Sequence, residues 1–151
     1  MTPCAMSALM DELPYIDEHS ALMDVAPDVG WKALVAFLGR QGSGTARFAK
    51  ALGCEPATAT PRFSGLLGET IPGFRVVDAK PGRRLELRGR HRFATYALTF
   101  VLEDGRLTAR SHGAFPGLLG ALYRLAVIRT GAHQLITRGL VRRISRAARA
   151  L

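Results

Sequence analysis

The chain has 151 residues, 48% apolar and 22% charged, with a formal net charge of +9. That length suits one domain with a sizeable core, and the composition excludes a disordered chain. No uncharged apolar run reaches the roughly 18 residues of a membrane-spanning helix; the nearest, Ala114–Ile128, is interrupted by Arg124.

Residues 1–13 read as a flexible or weakly helical leader, followed by a single domain over 14–151. The start lacks the basic residues and apolar stretch of a signal peptide, which points to the cytoplasm. Cys4 and Cys54 stand alone, without C-x-x-C spacing, so neither a disulfide nor a zinc site is expected. Tyr15–Val25 reads as a first strand. Pro27 fits the first turn of a helix and Asp28 adds favourable charge there. The helix Pro27–Leu38 puts Val29, Ala33 and Phe37 on one face, widened by Trp31, Leu34, Val35 and Leu38. The run Gly39-Arg40-Gln41-Gly42-Ser43-Gly44 breaks it, and a second helix, Thr45–Leu52, stops at Gly53.

A polar loop over 54–61 and a short strand Arg62–Leu67 follow. Strands are then predicted at Gly73–Lys80, Arg83–Gly89, Phe93–Glu103 and Arg106–Phe115. Pro81-Gly82, the run 89–92 and Asp104-Gly105 supply the turns. Alternation places Leu85 and Leu87 on one face, then Ala94, Tyr96, Leu98, Phe100 and Leu102, then Leu107, Ala109, Ser111 and Gly113. His19 and His112 are expected to point outward. From Gly117 to the end the period changes to that of one long helix. An antiparallel sheet wrapped around such a helix, with the two short helices cradling it, predicts an enclosed cavity, and cavities of this kind bind small apolar molecules.

Taken as one straight helix, the C-terminal segment gathers Leu118, Leu122, Leu125, Ile136, Leu140, Ile144 and Leu151 within about a third of its circumference. His133 falls inside that arc, with Arg129 one turn earlier. A ligand carboxylate or carbonyl could pair with these two; equally, His133 could be a core histidine bonded to the backbone, with Arg129 reaching the surface. Tyr96 could orient a ligand or simply tip its hydroxyl to water or backbone. The candidate ligand-binding set is therefore Leu87, Tyr96, Leu98, Phe100, Ala109, Leu118, Leu122, Leu125, Arg129, His133 and Ile136. No catalytic residue is assigned.

Charge is uneven. Residues 1–74 carry 5 basic and 8 acidic side chains, and residues 75–151 carry 16 and 4. Of the basic residues 18 are Arg. An anionic partner would explain this, and so would solvated faces in an arginine-rich protein. No aromatic residues interleave the arginines as in single-strand binders, so nucleic acid is not expected. Gly42-Ser43-Gly44-Thr45 lacks the lysine of a phosphate loop, and Arg47 occupies the place of the third small residue of a dinucleotide loop. Neither a His-Glu-x-x-His nor a Gly-x-Ser-x-Gly motif occurs. No metal or cofactor is expected.

The order strand, two helices, several strands and a long helix resembles the helix-grip fold of the SRPBCC superfamily. That superfamily spans birch-pollen-allergen, START and polyketide cyclase/dehydrase proteins. The resemblance rests on Pro27-Asp28-Val29-Gly30-Trp31, Ile71-Pro72-Gly73-Phe74-Arg75-Val76-Val77, Pro81-Gly82-Arg83-Arg84-Leu85-Glu86-Leu87-Arg88, Gly117-Leu118-Leu119-Gly120-Ala121-Leu122-Tyr123, His133 and Leu140-Val141-Arg142-Arg143-Ile144. It implies an α+β domain binding a lipid, sterol, polyketide or aromatic acid beneath the long helix. It leaves enzymatic activity open: a cyclase or dehydratase in the same cavity is the alternative. A third reading, of another class, is an arginine-rich surface in transient contact with an anionic membrane or nucleic acid.

Overall fold

Residues 84–114 alternate apolar and polar side chains. In the computed structural model, which describes residues 13–40 and 43–151, they form the middle of a six-stranded antiparallel sheet. The strands are β1 (Tyr15–Leu22), β2 (Thr70–Ile71), β3 (Phe74–Lys80), β4 (Arg84–His91), β5 (Ala94–Glu103) and β6 (Arg106–Ala114), in the order β1-β6-β5-β4-β3-β2. The helices are α1 (Pro27–Gly39), α2 (Ser43–Leu52), α3 (Gly117–Arg124) and α4 (Ala132–Arg149). The leader over 1–12, Cys4 and the Gln41-Gly42 break lie outside the described residues.

Local chemistry accounts for the turns. Asp104 and Gly105 both have positive φ, 51° and 69°, as a two-residue hairpin requires. The β4–β5 hairpin turns at Arg92-Phe93, with His91 opposite Ala94, so β4 runs two residues beyond the sequence estimate. The expected strand Arg62–Leu67 does not form. Arg62 and Gly65 have φ of 55° and 79°. The Glu69 carboxylate there accepts the Ser64 and Leu66 backbone N–H groups at 2.8 and 3.0 Å, which takes donors a neighbouring strand would need.

The concave face of the sheet carries the core. Leu85, Phe100 and Ala109 form one cross-strand row, all fully buried. Onto this face α4 sets Val141, Ile144 and Ala148, and α1 packs against α4 with Ala33, Leu34 and Leu38 buried. The other short helix does not complete the predicted cradle; its end meets the β4–β5 turn, where the Arg92 N–H donates to the Leu52 carbonyl at 3.3 Å. A sheet gripping a C-terminal helix in this way is the helix-grip fold.

One expectation needs correction. The segment after Gly117 is not a single helix. A π turn, Leu125–Arg129, follows α3, and Gly131 at φ 79° separates it from α4. The Thr130 hydroxyl donates to the Ala126 carbonyl inside this break. Both features reset the helical register, so residues on either side do not share one stripe. In α4 the buried side is Thr137, Val141, Ile144, Ser145 and Ala148. Leu118 is 79% exposed and Ile136 66%, and Leu122, Leu125 and Arg129 are also exposed. Arg129 and His133 therefore lie on different helical segments.

Within α4, two isoleucines that the sequence places on one stripe stand about 80° apart around the axis, and only Ile144 falls on the buried side. Ile144→Ala is expected to cost roughly 2–5 kcal/mol in a denaturant unfolding titration. Ile136→Ala is expected to stay within about 0.5 kcal/mol of the parent. Equal losses at the two positions would restore the single stripe.

Candidate functional site

Beyond the packed row, the concave face turns polar at one end. Asp17, Ser111, Leu98, Leu87 and Val76 form the next cross-strand row, from β1 to β3. A bulge between Tyr15 and Asp17 puts an extra residue into β1. It directs Ile16 at Gly113 and sets Asp17 beside Ser111, as bulges re-aim side chains. The first turn of α4 brings His133 down onto this pair.

His133 Nε2 lies 3.1 Å from Ser111 Oγ, 3.3 Å from Asp17 Oδ1 and 3.5 Å from Thr137 Oγ1. Asp17 Oδ2 in turn lies 3.3 Å from His19 Nε2. His19 thus points inward beside Asp17, contrary to the alternation read from the sequence. The Asp17 and His133 side chains are 13% and 25% exposed, and Ser111 is buried. Asp17 Oδ1 is buried and lacks hydrogen-bond geometry to any partner among the described residues, despite its closeness to the imidazole. Leaving such an acceptor unsatisfied costs about 1–3 kcal/mol, so a donor arriving here would recover that energy.

The cluster is not a nucleophile relay. Such a relay needs the hydroxyl on one imidazole nitrogen and the carboxylate on the other, whereas Ser111 and Asp17 both meet Nε2. Among the described residues no group of three His, Cys, Asp or Glu side chains is placed to hold a metal.

A second cluster lies one row further along the same face. Tyr96 stands between Gly113 and Gly89 on the neighbouring strands. Its hydroxyl donates to the Gly73 carbonyl at 2.7 Å, and Cys54 Sγ lies 3.8 Å away. The ring meets Phe74 edge-on at 5.1 Å and His91 at 5.4 Å. His91 also contacts Tyr123 of α3 at 4.8 Å, and Tyr123 stacks on Phe93 at 5.5 Å. Burial, reinforced by Cys54, pushes the Tyr96 phenol far above its usual range, and burial raises Tyr123 as well. Burial lowers His91, whose Nδ1 accepts the Phe93 N–H at 3.1 Å. These aromatic groups are neutral around pH 7.

The candidate residues from the sequence therefore divide. Leu87, Phe100 and Ala109 are sealed in the core; Leu98, Tyr96 and His133 are half-buried on the concave face. Leu118, Leu122, Leu125, Arg129 and Ile136 are exposed. Asp17, Thr137 and His91 join the site without having been singled out, as do His19, expected to face outward, and Cys54, read only as a lone thiol. Ser111 was legible as inward-facing, but the β1 bulge leaves no sequence signal. Hollows of about 340 and 380 Å³ lie elsewhere. One is lined by Met23, Pro27, Gly30 and Leu102 and the other by Glu55, Arg75, Arg88 and Arg90; neither lies between the sheet and α4, where the sequence predicts a cavity.

No family model matches the chain, and no curated protein matches it. Among solved structures, the Mll3558 protein from Rhizobium loti aligns with a TM-score of 0.51 at 16% identity, covering 89% of this chain and 95% of that one. A conserved protein from Geobacillus kaustophilus aligns at 0.47 and 16% identity, covering 87% and 93%. The Polyketide_cyc-like protein Cgl2372 from Corynebacterium glutamicum aligns at 0.41 and 15%, covering 90% and 91%. The likeness to Mll3558 supports the fold and nothing finer.

Two outcomes follow from this geometry. A Cβ on Gly89 would lie 1.9 Å from the Gly73 carbonyl oxygen and 2.9 Å from the Tyr96 ring. Gly89→Ala is therefore expected to destabilise by about 1–3 kcal/mol or more in thermal unfolding, and a neutral substitution would show the Tyr96–Gly73 contact to be loose. The other outcome concerns pH. His91 has a folded pKa below its ordinary value, so it contributes stability above about pH 6.5 that is lost as pH falls through the folded value. The denaturant midpoint should drop between about pH 7 and pH 5, and His91→Phe should flatten that drop. An equally steep drop in the variant would assign the effect to other groups.

Proposed function

We propose that this protein binds a small, largely apolar ligand, of the lipid, sterol, polyketide or aromatic-acid class, at the polar end of the concave face. Leu98 forms the floor, with Leu87 and Phe100 buried behind it. Tyr96 and His133 bound it along the sheet and at the start of α4. The observation that carries the reading is the buried, unsatisfied Asp17 Oδ1 beside a half-exposed His133. An apolar wall with a few convergent polar groups is how small-molecule sites combine affinity with orientation. A ligand hydroxyl or protonated carboxyl would donate to Asp17, and the second oxygen of a carboxyl would meet the imidazole.

Binding is favoured over catalysis for two reasons. The Tyr96 hydroxyl is already committed to the Gly73 carbonyl and its phenol is held neutral. His133 is not set between a nucleophile and a carboxylate. The Tyr96 phenol is therefore not poised as an acid or base.

The test is displacement of a bound apolar dye by a fatty acid and by an aromatic acid, with circular dichroism as the fold control. Asp17→Asn and His133→Ala are each expected to weaken displacement roughly tenfold while leaving the spectrum intact. Unchanged affinity, or variants that unfold, would make the cluster part of the core.

A further inference from the structure

The exposed side of α3 is a feature that the concave site does not use. Helix α3 is tied to the sheet by one side only. A Cβ on Gly120 would lie 2.6 Å from the Phe115 backbone and 3.0 Å from the Phe93 carbonyl oxygen, and Tyr123 stacks on Phe93. At about 100° per residue, Leu118, Leu122 and Leu125 lie roughly opposite Gly120 around the axis. All three are exposed, as are Leu119 before the break and Leu135 and Ile136 just after it. A helix in water normally turns such residues inward. Single exposed leucines need no explanation, whereas a group confined to one stretch of helix does.

The surrounding charge selects what covers them. After Asp104 the chain has nine arginines and no Asp or Glu. Arg124, Arg129 and Arg138 are exposed along the same stretch as the leucines. A second copy of the chain would bring equal positive faces together, each molecule carrying +9, which self-repulsion opposes. Nucleic acid would satisfy the arginines but leave the leucines in water, and the aromatic rings able to stack on bases, Tyr123 and Phe93, are turned against each other. An anionic bilayer surface meets both needs: headgroup phosphates pair with arginines while leucines enter the acyl boundary.

We propose that α3 and the start of α4 form a docking face for anionic phospholipid membranes, with Leu118, Leu119, Leu122 and Leu125 as the inserting residues. The contact is peripheral: no helix among the described residues is long and apolar enough to cross a membrane.

The experiment is co-sedimentation of the full chain with vesicles of phosphatidylcholine alone and of equal parts phosphatidylcholine and phosphatidylglycerol. Binding is expected on the mixed vesicles only, weakening with added salt. Leu118→Ser combined with Leu122→Ser should weaken partitioning on the order of tenfold or more. Both positions are exposed, so circular dichroism should match the parent. Arg124→Glu combined with Arg129→Glu should abolish the preference for phosphatidylglycerol. Binding that ignores the serine substitutions would reduce the contact to charge adsorption and overturn the proposal. Absence of vesicle binding overturns it too, and gel-shift with nucleic acid or concentration-dependent dimerisation would then identify the occupant.

Discussion

The seat of α4 on the concave face is the constraint from which the rest of the structure follows. Val141, Ile144 and Ala148 complete a cluster with Leu85, Phe100, Leu107 and Ala109 that neither layer could hide alone. Burying side chains of this size contributes roughly 1.5–3 kcal/mol each. The cluster fixes the angular setting of α4, and that setting delivers His133, two turns before Val141, to Asp17 and Ser111 at the sheet's end. The geometry of the polar cluster is thus a by-product of core packing.

The two ends of the concave face obey different rules. Around Phe100 everything is apolar and sealed, and its shape is decided by volume. Around Asp17 four polar side chains share too few good partners: one imidazole nitrogen faces a hydroxyl, a carboxylate and a second hydroxyl. Buried polar networks that are only partly satisfied hold a fold less firmly than an apolar core does.

The strands were legible because period-two alternation from Arg84 to Gly113 has no competing interpretation, and the Asp104-Gly105 turn announces itself. The inward positions of Leu87, Tyr96, Leu98, Phe100 and Ser111 followed directly. The polar partners did not. Asp17 reaches Ser111 only through a bulge, and a one-residue slip inverts every side chain beyond it, which is why His19 was expected to face outward. The helix wheel failed for a related reason. It assumes a constant angular step, and the π turn with Gly131 changes that step between Leu125 and Ala132. Within α4 the wheel held for Ile144, which is buried, and failed for Ile136, which is exposed; carried across the break it placed Leu118, Leu122 and Leu125 inward, and all three are exposed.

That break also absorbs chain length. A π turn accommodates one residue more than the α turn it replaces. Deleting a single residue between Leu125 and Arg129 would let the segment relax to α geometry, and because the shorter α turn completes about the same rotation as the π turn, whatever precedes it would keep nearly the same bearing. The π turn is therefore the place where the chain can differ in length by one residue while α3's leucine row keeps its bearing. A lineage could lose that residue by a one-codon deletion and leave both the row and the core cluster where they are.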